Sequence, residues 1–153
     1  MSNFFLIRDI LSGSWQIDST TLAAYYPLAI NAVKGTFLFD KGKEEQNSLP
    51  YTIKAQTPHN QSNNKHIKVI PIKGVMLRDD AFCGMVGTRT IANRISEAMQ
   101  NPDVLGIILQ VDSGGGQSSA VPELTEVISK RTKPVIAFVD GTACSAAQYT
   151  IAS

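Results

Sequence analysis

Two short stretches in this 153-residue chain carry residue types that can do acyl chemistry together. One is Asp112-Ser113-Gly114-Gly115-Gly116; the other is Gly141-Thr142-Ala143-Cys144-Ser145-Ala146-Ala147. A serine hydroxyl becomes an acylating nucleophile when it is exposed, has a base to take its proton, and meets donors for the oxyanion that forms. Ser145 is the candidate, because the small residues around it leave room for backbone and substrate to approach. Its oxyanion hole would be the amide of Ala146, at the start of a helix, with one amide from Gly115 or Gly116. Losing one such donor raises a barrier by about 2.7–4 kcal/mol, so these backbone groups weigh as much as a side chain.

The base is harder to find. Both histidines, His59 and His66, lie in or beside a polar stretch with no acidic neighbour to orient them, so no Ser-His-Asp set can be drawn. The G-x-S-x-G elbow of the α/β-hydrolases is absent. A lysine serves if burial lowers its pKa toward neutrality. Lys73 and Lys133 flank strands near the core, but Lys133 precedes its strand and belongs at the end opposite Ser145. The plain reading stands beside the catalytic one: a flexible glycine turn, and a serine that merely caps a helix.

Each stretch follows an apolar run that reads as a buried strand, Val104–Val111 and Pro134–Val139. A third run, Ile67–Ile72, alternates; Pro71 argues that one side of it is an edge, and Gly74 permits a sharp turn after it. Between the runs lie helical patterns. Thr88 or Thr90 opens one that carries Ile91, Ile95 and Met99 on one face and stops at Asn101-Pro102. Another, from about Ser119, turns Val121, Leu124, Val127 and Ile128 inward, with Pro122 in its first turn and Lys130-Arg131 at its negative end. Strand-helix alternation predicts an α/β fold with right-handed crossovers and a parallel sheet whose near-continuous apolar strands are buried on both faces. Both stretches then open on one edge, beyond the carboxyl ends of the strands.

Upstream, residues 1–39 read as a mostly helical extension. Residues 4–11 form a short strand or helical turn. Asp18 or Ser19 caps a helix through Leu22, Ala23, Tyr26, Ala29, Ile30 and Val33, which Pro27 should kink or split. Gly35 ends it, and Thr36–Phe39 forms a short strand. Trp15 and Tyr25 are expected to pack against the main domain or a partner subunit. Residues 40–66 read as a polar linker, mobile from Gln56 to Lys65. Residues 67–153 hold the regular domain.

Bulk composition narrows the function classes. At 16.6 kDa, with 43% hydrophobic and 18% charged residues, the chain is an ordinary globular one, and a net charge of +1 gives no footprint for nucleic acid or an anionic membrane. Cys83 and Cys144 form no metal or redox motif, and Cys144 is expected to be a small buried residue. No cofactor is implied. Near the N-terminus only four apolar residues run together before charge intervenes, which predicts neither a signal peptide nor a membrane span, and a cytoplasmic protein.

Four segments in order resemble the S49 peptidase family, which includes signal peptide peptidase A and the phage capsid-assembly proteases. Ile72-Lys73-Gly74-Val75-Met76 resembles its first strand and turn, and Leu105–Gly116 its strand with the D-S-P-G-G loop. Lys133-Pro134-Val135-Ile136-Ala137 resembles its K-P-V strand. Ala143-Cys144-Ser145-Ala146-Ala147-Gln148-Tyr149 resembles its A-A-S-G-G-Y-Y segment, whose serine is the nucleophile. The resemblance implies a ClpP/crotonase-like spiral of ββα units, here truncated. It makes Ser145 the nucleophile of a Ser/Lys dyad, with Gly115 or Gly116 and Ala146 as oxyanion donors. It also implies a polypeptide substrate, a homo-oligomer, and no nucleic-acid or membrane partner. Two departures stand out. Gly114 replaces the family proline, which loosens the loop; Cys144, Ala146 and Ala147 replace Ala, Gly and Gly, which tightens the space at the serine.

The family's lysine lies beyond position 153, so this chain alone is expected to be inactive. The lack of a membrane anchor in residues 1–66 points to the phage or prophage branch, and hence to a head-maturation protease acting on capsid or scaffold protein. Three other readings remain open: peptide degradation like that of signal peptide peptidase, a crotonase-type acyl-CoA enzyme that would not need Ser145, and a non-catalytic assembly component.

Overall fold

The computed structural model describes residues 13–34, 49–54, 64–81 and 85–153. In chain order these form β1 (Trp15–Ile17), α1 (Ser19–Val33), β2 (Tyr51–Lys54), β3 (His66–Met76), α2 (Thr88–Gln100), β4 (Val104–Gln117), a 3-10 turn (Ser118–Ala120), α3 (Val121–Ser129), β5 (Val135–Ala143) and α4 (Ala146–Ile151). The fold is mixed α/β, with a five-stranded sheet. Residues 4–11 and Thr36–Phe39, expected to form short strands or a turn, and His59 and Cys83 lie outside the described residues.

β4 is the axis. β3 and β5 pair with it in parallel on opposite edges, Ile70 beside Leu109 and Ala137 beside the same Leu109. One face of this trio is dry: Ile70, Ile72, Ile107, Leu109 and Val111 meet Ile91, Ile95, Leu124 and Ile128 from the helices, all at most 5% exposed. α2 reaches that face through Ile91, Ala92, Ile95 and Ala98, the i, i+4, i+7 spacing that puts one stripe of a helix inward. α3 does the same with Val121, Leu124 and Ile128, and Pro122 sits in its first turn, where its missing N–H has no intrahelical use. Arg131 donates to the carbonyl of Ile128 at 3.1 Å, closing the end of α3.

The other face differs from the expectation of burial on both sides. Ile136 and Phe138 on β5 stay 62% and 56% exposed, because no described helix covers them. Among the described residues Pro71 pairs with Gln110 alone, because the pairing of β2 with β3 ends at Val69, so the described part of the sheet has an edge there. Gly74 makes no sharp turn. Its positive φ of 72° sits where the β3–β4 register shifts between Lys73 and Val75, and the strand runs on to Met76.

Three further readings change. The glycine stretch is no flexible turn: β4 continues through it to Gln117, with residues 113–117 buried. α1 is one helix across Pro27, neither split nor ended there. The polar segment 40–66 contains β2, whose Tyr51–Lys54 pair antiparallel with His66–Val69. Asp18 is the cap of α1, its Oδ1 accepting from the amides of Thr20 at 2.9 Å and Thr21 at 3.0 Å. Trp15 packs against the main domain as expected, beside Leu77 with Val75, Ala81 and Met85.

Candidate active site

Ser145 stands where β5 hands over to α4, exposed, with φ 55° and ψ −115°. Among the described residues it alone combines a side chain with a positive φ. A residue with a Cβ is held in such a region at about 1–3 kcal/mol of strain, so the surroundings must over-determine it. They do so from both sides. Cys144 donates its amide to the carbonyl of Ser113 at 3.0 Å, and the amide of Ala147 returns to the carbonyl of Cys144 at 3.0 Å. Thr142, earlier in the same segment, donates its amide to Oδ1 of Asp112 at 2.9 Å. The backbone either side of the serine is pinned, and the hydroxyl is left outside.

The glycine stretch meets the serine directly. Gly115 adopts φ 99°, and a Cβ built on it would lie 3.0 Å from Ser145 Cβ and 3.1 Å from the amide nitrogen of Ala146. Any side chain there would fill the space in front of the serine. Gly116 runs so close to the Met76 carbonyl that a methyl group would overlap backbone atoms of β3. Ser145, Gly115 and Ala146 are therefore brought together at one end of the sheet, from two elements far apart in sequence, with Gly116 next along β4 against Met76.

Their amides are not equivalent. Ala146 is the first residue of α4, so its N–H has no acceptor within the helix. Gly115 donates its N–H to Ser113 Oγ at 3.1 Å, and that hydroxyl donates onward to the Gly74 carbonyl at 2.6 Å. Ser113 is only 2% exposed. It ties β3, Gly115 and, through its carbonyl, Cys144 into one frame. Sequence reasoning did not single it out as a positioning residue; a hydroxyl interrupting an apolar strand was the available signal. Cys144 is half-buried rather than fully buried.

No described base faces Ser145. Lys133 Nζ donates to the carbonyls of Ala98, at 3.0 Å, and Asn101, at the amino end of β5. That is about 30 Å from the serine at the rise of a strand. Lys73 Nζ lies 4.0 Å from Asp140 Oδ2, which also accepts from Gln110 Nε2. His66 is likewise remote: it begins β3 and donates from Nδ1 to the Asn64 carbonyl at 2.8 Å. It lines a cleft of about 280 Å3 with Lys68, Arg94 and Glu97. The cleft is charged, and no serine or threonine is among the residues that line it.

One rim of the glycine strand is electrostatic. Arg78 donates its amide to Gln117 Oε1 at 3.0 Å, and its guanidinium reaches Glu123 at 2.8 Å. Arg89 bridges Glu123 at 3.3 Å and Asp79 at 2.8 Å. Arg78 first, then Arg89, hold the Glu123 carboxyl below the usual carboxylate range. Asp80 ties the loop ahead of α2, accepting from the Gly87 amide at 2.6 Å and the Thr90 hydroxyl at 2.9 Å.

No known family model matches the chain. Two phage proteins are similar to about half of it. The Head-tail preconnector protein GP5 of Enterobacteria phage P21 is 34% identical over 87 residues, covering 53% of this chain and 17% of that protein. The Capsid assembly protease C of Escherichia phage lambda is 31% identical over 88 residues, covering 54% of this chain and 20% of that protein. The chain thus spans about a fifth of the length of these relatives. No helix among the described residues is long and apolar enough to cross a membrane.

Proposed function

We propose that this chain carries the nucleophile half of a serine peptidase site of the S49 kind, working in phage or prophage head maturation on capsid or scaffold protein. Ser145 attacks the scissile carbonyl, the bond to the leaving amine breaks, and water hydrolyses the acyl-enzyme. The Ala146 amide receives the oxyanion, joined by Gly115 or Gly116 once its amide is released from Ser113 Oγ or from Gln16, and a lysine serves as general base. The observation that carries this reading is the exposed serine at positive φ, its Cβ 3.0 Å from where a Cβ on Gly115 would stand and beside the first amide of α4. A serine that only capped a helix would have no need of that strain. Similarity to a capsid assembly protease points the same way. A ClpP/crotonase-like spiral is the matching fold proposal, supported by parallel β3, β4 and β5 with helices between them. Self-association belongs to the same proposal and is read by light scattering.

Lys133 is held at the amino end of β5 by the Ala98 carbonyl, and Lys73 Nζ lies 4.0 Å from Asp140, so the base is assigned to neither. An aligned general base contributes about 10²–10⁴-fold, so acylation of this chain by itself should be slow by that factor. Incubation with a fluorophosphonate probe and peptide mapping is the test. The expected result is slow adduct formation at Ser145 and none in Ser145→Ala. Labelling at another serine, or unchanged labelling in Ser145→Ala, overturns the assignment. Completion within minutes would instead show that a base is already in place.

A further inference from the structure

The outer edge of the glycine strand is occupied. β5 leaves β4 at Ser113, and from Gly115 to Gln117 the same edge is taken by β1, antiparallel, with Ile17 opposite Gly115 and Gln16 opposite Gly116. Asp18 donates its amide to the Gly114 carbonyl at 2.9 Å, and Ser118 donates to the Ser14 carbonyl at 2.8 Å. Hydrogen-bonded pairs alternate in an antiparallel ladder, so Gln16 and Gly116, lying between those two pairs, exchange both of their bonds. The Gly116 amide is therefore spent on Gln16. That Gln16 carbonyl also passes so close to Gly115 that a methyl group there would strike it, in the same space that faces Ser145 Cβ and the Ala146 amide.

We propose that β1 is a built-in competitor: a strap lying in the strand position on Gly114–Gln117 that an extended polypeptide must take to present a carbonyl to Ser145. Entry of substrate then requires β1 to leave, and its departure frees the Gly116 amide. The docking edge itself stands on backbone pairing; only its effect on catalysis rests on the peptidase reading of Ser145.

The strap is built to be released. β1 has three residues, and behind it α1 leaves Leu22 and Tyr26 45% and 62% exposed. Of the described side chains of α1, Ala29 alone is buried. The anchor is local: the Asp18 carboxylate caps α1 and lies with Thr21 against Gly114, where a Cβ would collide with both. Trp15, the chain's single tryptophan, is half-buried beside Leu77 and reports on the strap without any label.

The full chain is titrated with a synthetic peptide of residues 13–18 carrying Trp15→Phe, and Trp15 emission is followed. A saturable red shift is expected, with its midpoint about fivefold lower in Asp18→Ala, which loses a helix cap. Gln16→Pro, which removes a donor to Gly116, should bind the peptide at least as well, and urea midpoints check that each variant is folded. Peptide binding, read by polarisation of a labelled copy, that leaves Trp15 emission unmoved overturns the proposal. So does absence of binding in all three chains. Fluorophosphonate labelling of Ser145 should quicken in Asp18→Ala by a similar factor. Displacement of the strap with no labelling at Ser145 in any chain would leave the strap standing and sink the peptidase reading. A released strap with an unchanged labelling rate would sink the gating.

Discussion

β4 and β5 run side by side in parallel, and each delivers one half of the candidate site, yet they are built in opposite ways. Val104, Ile107, Leu109, Val111 and Ser113 of β4 are at most 3% exposed, and both edges of the strand are paired. β5 has one paired edge among the described residues, and Ile136, Phe138 and Val139 are 62%, 56% and 43% exposed. The serine therefore hangs from the weaker strand. What registers it is the stronger one: the Asp112 carboxylate catches the Thr142 amide, and the Ser113 carbonyl catches that of Cys144. Position at the site is set by β4, and β5 mainly carries Ser145 to it.

The contrast breaks first on core truncation. Leu109→Ala should lower stability by about 2–5 kcal/mol through lost burial and a residual cavity. Phe138→Ala, at a comparable height on β5, should change it by less than about 0.5 kcal/mol. Urea midpoints read both. A loss at Phe138 as large as at Leu109 would show that the open face is covered in solution.

Ser113→Ala comes next. It strips a buried acceptor from the Gly115 amide and a donor from the Gly74 carbonyl, at about 1–3 kcal/mol. It should also slow Ser145 labelling, since the Gly115 backbone loses its tether. Loss of stability with an unchanged labelling rate would confine Ser113 to holding β3 and β4 together.

Ser145→Gly should raise stability by about 1 kcal/mol, because glycine relieves the positive φ, while Ser145→Ala, which keeps a Cβ, should not. Equal stability of the two variants would show that the backbone there is unstrained. That test separates the geometry of the serine from any question of its activity.

Acid should produce the smallest change. The Asp18 carboxyl is held below its usual range by the Thr21 hydroxyl first, then by the amides of Thr21 and Thr20; Glu123 is held down by Arg78 and Arg89. A carboxyl depressed in the folded state adds stability that is fully present above its unfolded pKa and disappears as pH falls through the folded value. Both contributions should be intact at neutral pH and fade below about pH 4. Trp15 emission should move before far-UV dichroism does, since Asp18 holds the strap and not the core. Stabilisation on acidification would contradict the assignment.

The core was legible because its pattern is local. Ile91, Ile95, Leu124 and Ile128 recur at helical spacing, and the runs before the two site stretches are long enough to read as strands. The site stretches themselves carry a weaker signal. Glycine has no strand signature, so nothing at 114–116 announced that β4 continues to Gln117. β1 and β2 are too short for alternation to show, and each exists only because a distant strand offers it an edge. The positive φ of Ser145 and the tether through Ser113 come from contacts between segments remote in sequence, which local periodicity cannot report. Pro27 inside α1 teaches the converse: a residue that disfavours a helix locally is carried by the turns on either side of it.

The parallel pairing of β4 with β5 also fixes when the site comes into being. Parallel neighbours cannot zip from a tight hairpin; they wait for an intervening helix to fold back, and such non-local closure is slow. Until α3 has crossed over and the Cys144 amide has found the Ser113 carbonyl, Gly115 does not face Ser145. In a nascent chain the two stretches are still apart, and whatever Ser145 does begins only once the crossover has closed.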